Sequence, residues 1–322
     1  MRCLCCGKEF SAASTPYELS CSWHSACIKK FFGTKKLPDI DVSDSVLEQI
    51  ATESTAKGYT VPGVQKKLSL HLSEDSDPRL TLVNYPTGYI LKPQTNEYTA
   101  LPEAEYLVMQ MAVATKIKTV PFALLQIGAD KREYAYITRR IDRLKVGKAT
   151  KMLAMEDFCQ LENRLTADKY KGSYERCAKV VDAYSEGRGL DMADLFLRIV
   201  FSYAIGNSDM HLKNFSLIET ECGSGRYHLS DAYDMLPVGV IMPADTEELA
   251  LTLNGKKRNI KKSDFLAFAD NAGLDRSQAE KMITKIVSMR DVYLELCRES
   301  YLPEAMKKTF EELICMRIEN LS

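Results

Sequence analysis

Ala204-Ile205-Gly206-Asn207-Ser208-Asp209-Met210-His211-Leu212-Lys213-Asn214-Phe215-Ser216-Leu217 is the stretch on which the fold turns. Upstream of it Met192, Leu195, Phe196, Ile199, Val200, Tyr203 and Ala204 recur at i, i+3, i+4, i+7 spacing, which predicts a helix that Gly206 ends. Largely polar residues follow, and an apolar strand then begins. Polar side chains pinned between two buried elements mark a candidate site.

Within that site Asp209 and Asn214 stand five apart. Protein kinases use this spacing for the carboxylate that accepts the substrate hydroxyl proton and the amide that binds Mg2+. The pair gains meaning from what comes next, because Tyr227-His228-Leu229-Ser230-Asp231-Ala232-Tyr233-Asp234 supplies a further carboxylate, Asp234, after a short strand. Phosphoryl transfer needs hard oxygen ligands for the metal, a cation on the nucleotide phosphates and a base beside the acceptor. Lys92, at the end of Gly88-Tyr89-Ile90-Leu91-Lys92, offers the cation. The helix after it, opening near Thr99 with Pro102 in its first turn, offers Glu103 and Glu105 as partners, and periodicity does not choose between them. Gly58 to Lys67, with Gly63, Val64 and Gln65 at its centre, is the candidate loop over the phosphates; it is neither G-x-G-x-x-G nor a Walker A element.

Around this core the chain is strand-rich from about 58 to 140, with alternation at Lys67 to Leu72 and strands expected at Leu80 to Val83, Phe122 to Ile127 and Glu133 to Thr138. After about residue 150 the pattern is helical, closing with helices at about 263 to 272, 277 to 297 and 302 to 319. The expected organisation is a Cys-rich module over 1–33, a polar linker over 34–57, a β-rich lobe over 58–143 and a larger α-helical lobe over 144–322. The fold class is therefore α+β with two lobes.

The 322 residues, 45% hydrophobic and 27% charged, suit a chain that folds throughout, and a net charge of −1 excludes a global basic field for nucleic acid. No apolar run reaches the roughly 18 residues that span a bilayer, so a cytoplasmic protein without membrane contact is expected. Five of the ten cysteines fall in the first 27 residues. In a reducing compartment such clustering points to metal rather than disulfides. Cys3, Cys6, His24 and Cys27 form C-x2-C and H-x2-C pairs that suit tetrahedral Zn2+ in a structural role, with Cys5 and Cys21 nearby as spares; the other reading is a reduced Cys-rich knob without metal.

Val61 to Lys67, Tyr89 to Pro93, Ala104-Glu105-Tyr106, Ile137 to Arg143, Gly206 to Asn214 and Leu229 to Pro237 together resemble the HipA-type serine/threonine kinases of bacterial toxin–antitoxin systems, in family order over roughly residues 58 to 260. The resemblance implies a protein-kinase-like two-lobe fold using ATP and Mg2+. It puts Lys92 on the ATP phosphates with Glu105 as its partner, and the loop at Gly63, Val64 and Gln65 over them. Thr138, Arg139, Arg140 and Ile141 become the adenine hinge, Asp209 the base, and Asn214 and Asp234 the Mg2+ ligands. His211 and Lys213 shape the catalytic loop. The family's autophosphorylated loop serine is absent here, which leaves Thr60 as the nearest hydroxyl, with Ser54 and Thr55 upstream. Only about 60 residues precede the loop, so the chain resembles the short, HipT-like kinase of a split system. The implied partners are a separate small protein that supplies the missing N-terminal subdomain, a DNA-binding antitoxin that brings DNA only through the complex, and an aminoacyl-tRNA synthetase as substrate.

Two other readings fit the same residues. A small-molecule phosphotransferase of this fold also uses N-x-D-x4-N, and a catalytically silent binding component needs no such set at all. The basic run Asn254 to Lys262, with five cations in seven residues from 256 to 262, reads first as a solvated loop and second as a DNA-backbone contact. His71 and His228 read as packing or surface residues, and Asp142 and Asp231 as turn residues.

Overall fold

Alternation in Leu68-Ser69-Leu70-His71-Leu72 places the three leucines on a buried face, as expected of a strand with one side against a core. The computed structural model describes residues 1–40, 67–73, 77–81, 88–128, 133–147 and 149–322. They form two compact units, one of Met1–Tyr106 with Val120–Arg143, the other of Leu107–Thr119 with Leu144–Ser322.

The first unit is built on a six-stranded sheet. Its strands are β1 (Asp39–Ile40), β2 (Leu68–Leu72), β3 (Arg79–Thr81), β4 (Tyr89–Pro93), β5 (Phe122–Ile127) and β6 (Glu133–Arg139), in the spatial order β1-β3-β2-β4-β6-β5. β1 runs parallel to β3 and the other pairings are antiparallel. Lys92 faces Tyr136 in the β4–β6 register. The N-terminal module belongs to this unit rather than standing apart from it. Its helix α1 (Pro16–Cys21) opens with a Thr15–Glu18 capping box, and α2 (Ser25–Phe32) ends at Gly33, whose φ of +78° is left-handed. The Leu4 carbonyl accepts a hydrogen bond from the Leu124 amide at 2.9 Å, covering part of edge strand β5.

Two boundaries differ from the expected ones. The 34–57 linker contributes β1 to the sheet at its start, and residues 107–119, expected in the first lobe, cluster with the second unit. Local hydrogen bonds give the reason: the Thr115 hydroxyl lies 2.6 Å from that of Tyr293, and the Lys118 carbonyl accepts from the Ala232 amide at 2.8 Å.

The second unit is helical, but not from residue 150 onward as expected. Arg143–Val146 (β7) and Ala149–Met152 (β8) form a two-stranded pair, and Met155–Asp157 (β9) joins Ser216–Glu219 (β10) and Tyr227–Leu229 (β11) in the order β11-β10-β9. β7 and β8 are almost wholly exposed, so burial periodicity gave no signal there. The helix Arg188–Ala204 runs through the unit's interior, with its residues from Leu195 to Ala204 all buried. The helix expected over 277–297 is two, Arg276–Ser288 and Arg290–Arg298, separated at Met289. This break lets Ile283 and Ile286 on one segment and Tyr293 and Cys297 on the next all reach the core. Among the described residues no helix is long and apolar enough to cross a membrane.

Candidate functional site

In the second unit the helix Arg188–Ala204 stops because Gly206 takes φ +68°, and a Cβ at that position would run into the Leu313 side chain. The chain beyond it folds on itself. The Asn207 side chain accepts the Asp209 amide at 3.2 Å, and the Asp209 carbonyl accepts both the His211 amide at 2.8 Å and the Asn214 Nδ2 at 2.9 Å. The five-residue spacing is thus closed by a hydrogen bond across it. Because the Asn214 Nδ2 donates inward, its Oδ1 is the atom with the chemistry to meet a cation.

Lys213 points elsewhere. Its Nζ lies 2.6 Å from the Asp157 carboxylate, which also caps the short helix Phe158–Leu161, so this lysine ties the loop to β9. The Tyr233 hydroxyl donates to the Lys213 carbonyl at 3.0 Å and lies 2.6 Å from the Ser216 hydroxyl, which fastens the segment carrying Asp234 to the same loop. Asp234 itself adopts φ +57°, a left-handed conformation that aspartate tolerates better than most residues.

Sequence reasoning missed Tyr170, Asp245 and Asp157. The Tyr170 hydroxyl donates to Asp209 Oδ1, and Ser208 Oγ donates to Asp245 at 2.7 Å. Burial first, then the hydrogen bond and charge of Asp209, with Asp245 and Asp234 adding, hold the Tyr170 phenol well above its ordinary pKa. The carboxylate oxygens of Asp209 and Asp234 and the amide oxygen of Asn214 are hard donors of the type that Mg2+ takes. The His211 ring packs edge-on to Tyr170 at 5.0 Å, and burial lowers its pKa against the pull of Asp209, so the imidazole is neutral near pH 7.

In the first unit, Lys92 Nζ lies 2.6 Å from Glu105 Oε1, with side-chain exposures of 5% and 0%. The ammonium also sits 5.4 Å from the Tyr136 ring centre. Glu103, the alternative partner, is raised in pKa by burial instead. The expected hinge is held from several sides. Thr138 Oγ1 donates to the Pro121 carbonyl at 3.0 Å, and Arg139 donates to the Lys30 and Phe31 carbonyls at 3.3 and 3.4 Å. The Arg140 amide donates to the Gly88 carbonyl at 2.9 Å. Burial alone would push the Asp142 carboxyl up, yet Arg140 and Arg143, each 2.6 Å away, together hold it below the ordinary carboxylate range. Asp142 is thus a turn clamp. Gly63, Val64 and Gln65, with Thr60, Ser54 and Thr55, lie outside the described residues.

The remaining candidates fall into place by their contacts. Lys256 pairs with Asp264 at 2.7 Å and Lys257 with Glu247 at 3.0 Å, so two of the run's five cations are already neutralised within their own unit. His228 pairs opposite Ile218 in the small sheet and His71 opposite Thr81 in the large one. In the first unit, Cys3, Cys6, His24 and Cys27 bring one ligand atom each to within 4.8 Å of one another. Cys21 is outside that group, its thiol directed at the Glu18 and Trp23 carbonyls.

Residues 59–292 match the family model described as the HipA-like C-terminal domain. A Haemophilus influenzae protein bearing a kinase designation is 26% identical over 270 residues, covering 77% of each chain. Y4dM of Sinorhizobium fredii, with the same designation, is 30% identical over 251 residues, covering 73% of this chain and 58% of its own. Among solved structures, the fold is similar to Shewanella oneidensis HipA, determined in complex with HipB and operator DNA. The TM-score is 0.67 at 20% identity, over 81% of this chain and 64% of that one. It is also similar to the Helicobacter pylori proinflammatory kinase CtkA, with TM-score 0.52 at 15% identity, over 78% and 90% of the two chains. The present chain thus spans less than two thirds of Y4dM and of the Shewanella HipA chain.

Proposed function

The chain belongs to the HipA-like C-terminal domain family, and from that membership we propose that it is an ATP- and Mg2+-dependent serine/threonine protein kinase acting as the toxin of a toxin–antitoxin system. The observation that carries the reading is the Lys92–Glu105 ion pair. Two charges taken out of water cost several kcal/mol each by general estimates, and a pair of apolar residues would fill the same space more cheaply. A lysine on a sheet strand held by a helix glutamate is the arrangement with which protein kinases present a cation to nucleotide phosphates.

In this reading Lys92, oriented by Glu105, binds the ATP phosphates, and Thr138 to Ile141 take the adenine. Asp209 accepts the proton of the acceptor hydroxyl, while Asn214 and Asp234 hold Mg2+, which supplies charge neutralisation at the phosphates. His211, neutral and packed on Tyr170, and Lys213, fixed to Asp157, keep the loop in shape. Zn2+ enters only as a structural ion at Cys3, Cys6, His24 and Cys27. The protein acceptor is an aminoacyl-tRNA synthetase. The partners are a DNA-binding antitoxin, suggested by the HipB complex of the Shewanella neighbour, and a small separate protein of the HipT-like split arrangement.

Tyr170 carries a consequence of its own. Its hydroxyl donates to one oxygen of the carboxylate that an acceptor hydroxyl would use. Tyr170→Phe is therefore expected to raise, not lower, the transfer rate at subsaturating acceptor, by a few-fold within the roughly 1.5–3 kcal/mol of a charge-assisted hydrogen bond. Initial rates against acceptor concentration for both proteins check it.

The function is tested by incubating the purified chain with γ-labelled ATP, Mg2+ and bacterial lysate, with Asp209→Asn alongside. One labelled synthetase band, phosphorylated on serine or threonine and absent with the variant, is the expected result. Label in a sugar or antibiotic and none in protein would transfer the assignment to a small-molecule phosphotransferase.

A further inference from the structure

We propose that Cys3, Cys6, His24 and Cys27 bind one Zn2+, and that the ion joins two arms of the N-terminal module into a brace behind Lys92, Glu105 and the 138–141 segment. In a tetrahedral site with Zn–S of about 2.3 Å and Zn–N of about 2.0–2.1 Å, a sulfur and a nitrogen ligand lie roughly 3.5 Å apart. Cys6 Sγ and His24 Nδ1 are 3.5 Å apart. Three thiolates and one imidazole are a closed, soft set with no position left for a substrate, which selects zinc in a structural role. The ligands come from two separate pieces of chain. Cys3 and Cys6 flank a turn closed by the Gly7 amide donating to the Cys3 carbonyl at 2.9 Å, whereas His24 and Cys27 sit at the start of α2.

Each piece touches a different part of the first unit. The turn is the first arm: the Cys3 carbonyl also accepts the Tyr106 hydroxyl at 3.4 Å, and Leu4 pairs with Leu124 on β5. Tyr106 directly follows Glu105. The far end of α2 is the second arm: the Phe31 carbonyl accepts the Tyr89 hydroxyl at 3.3 Å, and the Lys30 and Phe31 carbonyls accept Arg139. Tyr89 lies on β4, three residues before Lys92. Trp23, Phe31, Phe32 and Tyr89 pack as one aromatic cluster with ring centres 4.8 to 6.0 Å apart. The turn meets the residues leading into α2 through the Leu4 amide, which donates to the Ser22 carbonyl at 2.9 Å, and the His24 amide, which donates to the Cys3 sulfur at 3.3 Å. The module shares the core of the first unit through that aromatic cluster, so the affinity of the metal adds to the folding free energy of that unit. The zinc half of the proposal stands on this geometry alone, while the brace half rests on the kinase reading of Lys92.

The experiment separates the two. Purified full-length protein is expected to contain one zinc per chain by elemental analysis, and Cys27→Ala to contain none, while Cys5→Ala and Cys21→Ala retain it. Replacing zinc by Co2+ in the unmutated chain is expected to give the strong visible absorption of a tetrahedral thiolate site, a readout that does not depend on any variant folding. Zinc-free protein with a weak octahedral Co2+ spectrum, or a Cys27→Ala protein still loaded, overturns the site; so does a mass lower by two hydrogens that reveals a disulfide among these thiols. Trp23 is the chain's single tryptophan and is fully buried beside His24, so its emission reports the module directly. Chelation is expected to shift that emission to the red and weaken ATP binding at least ten-fold, and readdition of Zn2+ to restore both. Tyr106→Phe, which removes only the hydroxyl on the Cys3 carbonyl, is expected to raise KM for ATP with kcat nearly unchanged. Unchanged ATP affinity after chelation and in Tyr106→Phe defeats the brace but leaves the site standing. Intact zinc and emission behaviour in a chain that transfers no phosphate under any condition would instead count against the kinase reading.

Discussion

Asp209→Asn is expected to abolish nearly all phosphoryl transfer while leaving the fold intact. A positioned general base contributes about 10²- to 10⁴-fold, and an amide has no proton affinity in the useful range. The substitution is nearly isosteric, and the replacement oxygen still accepts the Tyr170 hydroxyl, while the backbone carbonyl of residue 209 keeps its bonds to His211 and Asn214. Loop geometry, thermal stability and nucleotide affinity are therefore expected to stay within error of the parent, with kcat reduced by at least about a hundred-fold. Single-turnover transfer with labelled ATP, read beside a fluorescent-nucleotide titration, checks both halves. A variant that keeps more than a tenth of parental kcat would take Asp209 out of the reaction.

Glu105→Ala carries the largest expected stability effect. It removes the carboxylate 2.6 Å from an ammonium that is only 5% exposed. Removing one member of a buried ion pair typically costs about 3–5 kcal/mol, because the remaining charge keeps its desolvation penalty. The double replacement Lys92→Met with Glu105→Leu removes both charges and keeps the volume. It is expected to regain most of that loss and still transfer no phosphate. Urea denaturation of the parent, the single and the double variants, each paired with an activity assay, measures the two quantities separately. A double variant that still transfers phosphate would mean that the pair serves the fold, not the chemistry.

The contrast between Glu103 and Glu105 shows where sequence reasoning stopped. Both flank the apolar stripe of the Leu101–Ala114 helix at similar angles, and only the packing of that helix turns Glu105 toward β4 and leaves Glu103 near Tyr134. Tyr170 and Asp157 were invisible for a related reason. They reach Asp209 and Lys213 across 39 and 56 residues, and no local pattern encodes such a meeting. The single helix expected over 277–297 misses the break because the apolar spacing continues through Met289, where one helix ends and the next begins without any glycine or proline to announce it.

What the chain determines by itself is whatever the backbone repeat enforces. This covers the alternation of the large sheet's strands, the helix that ends at Gly206, the five-residue span between Asp209 and Asn214, and the C-x2-C and H-x2-C pairs, each short enough to close within one turn. Tertiary structure decided which glutamate meets Lys92, which phenol covers Asp209, that residues 107–119 join the helical unit, and that the N-terminal turn lies on β5. These are contacts between segments far apart in sequence, and their free energy comes from desolvation and packing that exist only once the segments meet.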